Sequence, residues 1–116
     1  MSVSDELRQA IAAHGQWKVK FREFMAGKLE LDANVVQQND QCQFGKWLES
    51  QGSKLLKKCD YEEINQLHTE FHKVAAEVIR KKKSGQTQIA ERALATGGVF
   101  TSASAKLTTR LMAVKE

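Results

Sequence analysis

The chain has 116 residues, a net charge of +4, 41% apolar and 28% charged residues, and no proline, where average usage of about 5% gives roughly six. This composition excludes wholesale disorder and favours long helices. The length fits one domain, predicted to span residues 1–116, and leaves no room for a second. Three histidines and two cysteines are present, and their positions are the most informative feature of the sequence.

The first predicted element is an amphipathic helix that starts at the Ser- and acid-rich residues 2–6 and ends near Gly27. Its apolar residues recur at spacings of three, four or seven, which defines one stripe, and His14 lies inside that stripe. Residues 28–39 lose this periodicity. They are predicted to form a connection with a helical turn from Ala33 to Gln37.

A second, short helix is predicted from Gln41 to about Gln51. Asp40 and Gln43 have the spacing of a capping box at its start, and Gly52 is predicted to end it. This helix carries one of the two cysteines in its first turn.

The third predicted helix begins at a second capping pattern, Asp60 with Glu63, and runs to the basic residues 80–83, with Gly85 beyond them. Residues 54–83 hold eight basic and five acidic side chains, so the positive charge is local. Cations at the end of a helix complement its dipole. This structural role is favoured over a nucleic-acid or lipid surface, and neither nucleic acid nor membrane is an expected partner.

A fourth helix is predicted from Gln86 to the C-terminus. Gly97 and Gly98 interrupt it, so either the helix kinks there or a neighbour packs unusually close. Four amphipathic segments without a strand signal predict an all-α fold, an antiparallel four-helix-type bundle with a short extra helix between helices 1 and 2.

The cellular compartment is predicted from what the sequence lacks. No apolar stretch approaches the roughly 18 residues that span a bilayer, and the N-terminus has neither a basic leader nor an apolar core region. We therefore expect a cytoplasmic protein. In a reducing compartment Cys42 and Cys59 are expected to be thiols or metal ligands, although they could in principle pair.

The residues that carry chemistry are His14, Cys42, His68 and His72. His68 and His72 lie four apart on one helix face, so both imidazoles can point at one spot. A histidine on an apolar stripe also needs partners for its ring nitrogens, which a backbone carbonyl or a metal can supply. Together the four side chains offer three nitrogens and one sulfur, a set that suits tetrahedral zinc.

Four protein ligands close the coordination sphere of zinc and leave no position for a catalytic water. The metalloprotease helix motif needs glutamate directly after its first histidine, but Thr69 follows His68 and Glu70 is expected to point away from the metal. No catalytic residue and no organic cofactor site is predicted. The expected role is structural or regulatory, and the protein is not expected to be an enzyme.

The stretch that follows the cysteine, Cys42-Gln-Phe44-Gly-Lys-Trp47-Leu48, is the second specific feature. Phe44, Trp47 and Leu48 are interpreted as core residues. Gly45 is interpreted as allowing close approach of helix 1 or 3 beside the metal.

With His14 before this stretch and His68-x-x-Phe71-His72 after it, the sequence resembles the chemoreceptor zinc-binding (CZB) domain family over essentially the whole chain. The resemblance implies a bacterial, cytoplasmic helical bundle with zinc held by His14, Cys42, His68 and His72. It also implies a role in chemotaxis or cyclic-di-GMP signalling, with a chemoreceptor, a diguanylate cyclase or a second copy as partner. Zinc or an oxidant such as hypochlorous acid is the implied signal, with Cys42 as the redox trigger.

Two departures from the family pattern are visible. Gln41 stands where many members have a hydrophobic residue, and no receptor or cyclase domain is present in the 116 residues. The alternative interpretation is a helical adaptor or dimerisation module with structural histidines and a basic partner-binding face. Cys59 lies outside the motif and is not predicted to be a ligand.

Overall fold

The all-α class predicted from the sequence is confirmed by the computed structural model, which describes residues 3–38 and 42–114. No strand occurs among these residues. The elements, in chain order, are α1 (Val3–Gly15), α2 (Trp17–Met25), α3 (Ala33–Gln37), α4 (Gln43–Trp47), a π turn (Leu48–Gly52), α5 (Ser53–Leu55), α6 (Lys58–Lys83), α7 (Thr87–Leu94) and α8 (Val99–Met112).

The predicted first helix is present as α1 and α2, with a local irregularity at Gln16. The amide of Gln16 still donates to the Ala12 carbonyl at 3.1 Å, so the helical hydrogen bonds run on through this residue. Gly27, at φ +78°, ends α2 as predicted. Its amide bonds back to Phe24, and the Lys28 amide bonds to the Glu23 carbonyl at 2.8 Å, the paired pattern of a Schellman cap.

The helical turn predicted inside the connection is confirmed as α3. Asp32 caps it, because its carboxylate accepts the backbone N–H of Asn34 at 2.9 Å.

The second predicted helix differs from the observed one at both ends. Asp40 and Gln41, its predicted cap and first residue, lie outside the described residues, and the described helix begins at Gln43 with Cys42 at the N-cap. Gly52 does not end the helix, contrary to the prediction. It has an ordinary helical φ of −58°, so the chain continues from the π turn into α5.

The predicted start of the third helix at Asp60 is wrong by three residues, since Lys57 is the N-cap of α6. Asp60 lies within the first turn, where its carboxylate pairs with the guanidinium of Arg110 on α8. A carboxylate in the first turn also complements the helix dipole, so the side chain is used there rather than as a cap. Arg110 contacts Glu63 as well, at 2.9 Å.

The basic run occupies the last turn of α6, and Gly85, at φ +90°, ends the helix as predicted. Most of these cations have partners within the chain. Lys82 donates to the Phe24 carbonyl at 2.6 Å, and Lys83 lies 4.0 Å from Glu30. The structural role predicted for the run is therefore supported.

The predicted fourth helix is two helices, α7 and α8, separated by residues 95–98. Both interpretations of the glycine pair apply. Gly97 adopts φ +80°, a conformation that residues with a side chain rarely adopt. At Gly98 the backbone is close, because a Cβ there would lie 2.1 Å from the Arg92 carbonyl oxygen.

The helix α6 is the centre of the bundle and packs against α3, α7 and α8, while α1 packs against α4 and α8. α8 runs antiparallel to α6, since Arg110 near its end meets Asp60 near the start of α6. Phe100 joins the layers, with its ring centre 4.8 Å from that of Phe21 and 5.3 Å from that of Phe71. No helix within the described residues is both long and apolar enough to cross a membrane.

The glycine at the α7–α8 turn gives a test of this packing. We expect Gly98→Ala to lower the free energy of unfolding by about 2 kcal/mol or more, because the added Cβ meets backbone atoms that cannot rotate away. The matched control is Gly15→Ala, where a Cβ meets nothing within 4 Å and φ is not positive. That change is expected to be neutral or stabilising by up to about 1 kcal/mol. Urea denaturation of both variants measures the difference, and equal stabilities would contradict the close approach.

Candidate metal centre

All four side chains singled out in the sequence meet at one place. His14 lies in the last turn of α1, Cys42 at the N-cap of α4, and His68 and His72 in the middle of α6. One ligand atom from each lies within 4.8 Å of all the others. Within the described residues no other acidic, histidine or cysteine side chain belongs to the group, and Cys59 is exposed elsewhere.

The helix α6 supplies two of the donors from adjacent turns. The Nε2 atoms of His68 and His72 are 3.0 Å apart, as expected for residues i and i+4 on one face. Both rings are buried, with exposed fractions of 0% and 3%. The pair is therefore fixed on the longest element of the structure.

Backbone carbonyls orient two of the three imidazoles. Nδ1 of His14 bonds to the Ala10 carbonyl at 2.7 Å, and Nδ1 of His72 bonds to the Val36 carbonyl at 2.8 Å. A carbonyl oxygen only accepts, so each Nδ1 carries the hydrogen and each Nε2 keeps its lone pair. This is the arrangement in which histidines ligate metals in proteins, with the second ring nitrogen bonded to a carbonyl or carboxylate.

The sulfur of Cys42 has two neighbours of different kinds. Sγ lies 3.3 Å from Nε2 of His68, and it accepts the backbone N–H of Gly45 at 3.3 Å. The same atom thus caps α4 and faces the imidazole group. Gly45 is buried and Cys42 is half-buried, so this contact lies at the edge of the core.

His68 differs from the other two histidines. Its Nδ1 is buried and has no hydrogen-bond partner among the described residues, while its Nε2 faces both the Cys42 sulfur and His72. Hydrogen bonding therefore satisfies at most one of the two ring nitrogens of His68. A cation on the shared side of the group would satisfy the converging lone pairs.

Two of the donor separations are close to those around a tetrahedral metal ion. Ligands at Zn–N of about 2.0 Å and Zn–S of about 2.3 Å lie about 3.3 Å (N to N) and about 3.5 Å (N to S) apart. The corresponding separations here are 3.0 Å between the two Nε2 atoms of α6 and 3.3 Å between His68 Nε2 and Cys42 Sγ. These two separations are within about 0.3 Å of the tetrahedral values, and all four donors lie within 4.8 Å of one another.

Burial keeps the imidazoles neutral. The pKa of His14 is lowered to about 4 and that of His68 to about 2, chiefly by desolvation, with nearby imidazoles contributing to both shifts. The pKa of His72 is also lowered, again chiefly by burial. Neutral imidazole is the form that binds a metal, so at pH 7 no proton has to leave these rings first.

Aromatic side chains surround the group. The ring of Phe71 is 5.0 Å from that of His14, and the ring of Phe44 is 5.2 Å from that of His68, both edge to face. Phe44, Trp47 and Leu48 are buried, as predicted. A cleft of about 170 Å³ between α1 and the start of α4 reaches the group and is lined by His14, Cys42 and His72, among others.

Sequence reasoning missed the two carbonyls. Ala10 lies one turn before His14 on α1, and Val36 lies on α3, far from His72 in sequence. A backbone carbonyl has no residue signature, so the spacing of Ala10 was the only available signal. The exposed position of Glu70 agrees with the prediction that it points away from the histidines.

The family follows from this geometry together with the sequence. The sequence model of the chemoreceptor zinc-binding domain (CZB) matches residues 14–79, more than half of the chain. The chain belongs to the chemoreceptor zinc-binding domain family. The CZB match begins at His14 and includes the other three side chains of the group. No curated protein and no solved structure is significantly similar to the chain.

The two cysteines of this CZB domain give an internal comparison. We expect one equivalent of zinc to slow alkylation of Cys42 by about tenfold or more, because a metal-bound thiolate is withheld from the reagent. Exposed Cys59 should react at the same rate with and without zinc. Peptide mass spectrometry after timed iodoacetamide treatment measures both rates. Equal protection of the two thiols, or protection of neither, would contradict a centre at Cys42.

Proposed function

We propose that this chain is a zinc-binding regulatory domain of bacterial signal transduction, with zinc held by His14, Cys42, His68 and His72. The observation that carries the proposal is the convergence of these four donors within 4.8 Å. Membership of the CZB family supports zinc as the ion. Three imidazole nitrogens and one thiolate are also the ligand types that zinc prefers in tetrahedral sites.

A closed sphere defines what the metal supplies. When bound, zinc would tie the helices together and keep Cys42 as a thiolate. It would offer no open position for water. No described carboxylate is among the converging donors, so the donor set itself does not include a general base. A regulatory role without catalysis is the function that this donor set supports.

The tie adds metal bonds between helices that otherwise meet through side-chain packing. His14 comes from α1, Cys42 from the start of α4, and the remaining pair from α6. Loss of the metal removes the link from α1 and α4 to α6 while leaving the aromatic contacts of Phe100 in place. The metal thus biases a local rearrangement, which is what a switch needs.

Cys42 provides a chemical input to this switch. We propose that hypochlorous acid oxidises its thiolate to sulfenic acid, with the hydroxyl group joining sulfur and chloride leaving with the electron pair. The cleft beside Cys42 gives a small oxidant access to Sγ. A sulfenic acid is a poorer ligand than a thiolate, so oxidation weakens the tie.

The cellular location and the partner of the domain are proposed from its family. We place the domain in the cytoplasm, where both free cysteines stay reduced, and we propose a chemoreceptor, a diguanylate cyclase or a second copy of the chain as its partner. In each case the signal is a change at α1 and α4 that alters the surface offered to the partner.

The adaptor interpretation fits the observations less well. Structural histidines need only hydrogen-bond partners, which backbone carbonyls supply for His14 and His72, but such partners do not explain why three imidazoles and one sulfur converge within 4.8 Å. The basic run at the end of α6 is largely used within the chain, which leaves less of it for an acidic partner.

Zinc content tests the ligand set. Native mass spectrometry of protein purified without a histidine tag should show one zinc per chain. Cys42→Ser is expected to weaken zinc binding by about 100-fold or more, since a hydroxyl is a far poorer zinc ligand than a thiolate. Cys59→Ser is the matched control and should keep the full content. An unchanged zinc affinity in Cys42→Ser, or one zinc lost with Cys59, would overturn the proposed ligands.

Hydrogen exchange tests the switch. We expect His14→Ala to lose zinc and to increase amide exchange in α1 by about tenfold or more, because the link from α1 to α6 is gone. Amides of α6 and α8 should keep their protection, since contacts that join these two helices, such as the pairing of Arg110 with Asp60, do not involve the centre. Uniformly faster exchange in all helices would mean that zinc holds the whole bundle together, and would contradict a local switch.

A further inference from the structure

The short helix α3 supplies the backbone carbonyl that orients the His72 ring in the metal centre. Val36 offers its backbone carbonyl to Nδ1 of His72 at 2.8 Å, across 36 residues of sequence. This bond keeps the hydrogen on Nδ1 and leaves Nε2 as the donor in the group. The contact comes from the backbone, so it depends on where α3 lies rather than on the identity of residue 36.

α3 needs outside help to stay in place. It has five residues, well below the length at which an isolated helix is stable in water. Asp32 caps its start, and Ala33 and Val36 are each 9% exposed, which attaches α3 to the core. Apolar contacts of this kind have little directional preference, so they do not by themselves fix the rotation of α3 about its axis.

Arg80 supplies directional contacts. It lies two turns beyond His72 on α6, and its Nη2 donates to the side-chain oxygens of Gln37 at 2.5 Å and of Asn34 at 3.4 Å. Its Nη1 donates to Glu77 at 3.0 Å, which holds the guanidinium in place. Asn34 and Gln37 lie on either side of Val36 in the sequence, so the two bonds bracket the carbonyl that His72 uses.

We propose that Arg80 is a positioning residue for the metal centre. It holds α3 against α6 through Asn34 and Gln37, and so keeps the Val36 carbonyl on Nδ1 of His72. The effect on the orientation of His72 belongs to the protein alone, whereas the effect on zinc affinity rests on the proposed function. Arginine suits the task, because its planar fork reaches three acceptors at once, which the single ammonium of lysine does not do in a fixed geometry.

The next residue provides a matched control. Lys81 carries the same charge in the same turn of α6, and its side chain makes no hydrogen bond or ion pair to α3. Arg80→Met and Lys81→Met therefore remove the same charge and add the same residue. Only the first removes the bonds to Asn34 and Gln37.

The first readout is the tautomer of His72 in the metal-free protein at neutral pH, from the nitrogen chemical shifts of its ring. Wild type and Lys81→Met should show hydrogen on Nδ1, whereas Arg80→Met should show a mixture of the two tautomers. A role limited to stability would lower the free energy of unfolding without changing the tautomer. An unchanged tautomer in Arg80→Met would overturn the proposal even if the variant is less stable.

The second readout is zinc affinity from competition with a chelating dye. Loss of an outer partner costs about 10- to 100-fold in metal affinity, and Arg80 acts one step further out, so we expect about 3- to 10-fold weaker binding in Arg80→Met. Lys81→Met should stay within about twofold of wild type, and Arg80→Lys should recover only part of the loss. Equal affinities for the two methionine variants would contradict the proposal. If wild type binds no zinc, the proposed function fails, and the tautomer still decides the role of Arg80.

Discussion

The burial of three imidazoles and one sulfur around a common point is the constraint on which the rest of the structure depends. Desolvation keeps His14 and His68 neutral, so each ring retains a lone pair. The two rings lie close together in a site lined by phenylalanine rings. Such an arrangement is unfavourable for polar groups unless something satisfies them. We propose that a bound cation does so. In this proposal the same cation joins α1, α4 and α6, because each of these helices supplies at least one of the four donors.

Backbone groups of short elements control the ligands. The Gly45 amide bonds to the sulfur of Cys42, and the Val36 carbonyl bonds to His72. α3 and α4 each have five residues, so neither is stable alone, and both depend on contacts with longer helices. A shift of either short helix therefore changes the position of the donor side chain that it contacts, and a change at that donor shifts the helix in turn. Two of the proposed ligands, His68 and His72, lie instead on the 26-residue helix α6.

The sequence predicted the helical class and the residues that meet at the centre, because both depend on periodicity and on rare residue types. It also located the ends at Gly27 and Gly85, where a positive φ requires glycine. It failed at Asp60, since a capping residue and a residue that pairs with a distant arginine look the same in one sequence. The bond from His72 to Val36 could not be predicted either, because every residue has a backbone carbonyl whatever its side chain.

The position of the strongest packing argues for a local rather than a global response to the metal. The contacts of Phe100 with Phe21 and Phe71 join three layers of the bundle, and the pairing of Arg110 with Asp60 holds the far ends of α6 and α8 together. None of these contacts uses a donor atom of the centre. The scaffold of α6 and α8 can therefore persist while α1 and the start of α4 change position. In the proposed function, a domain built in this way would convert the state of one sulfur and one ion into a change of surface shape without unfolding.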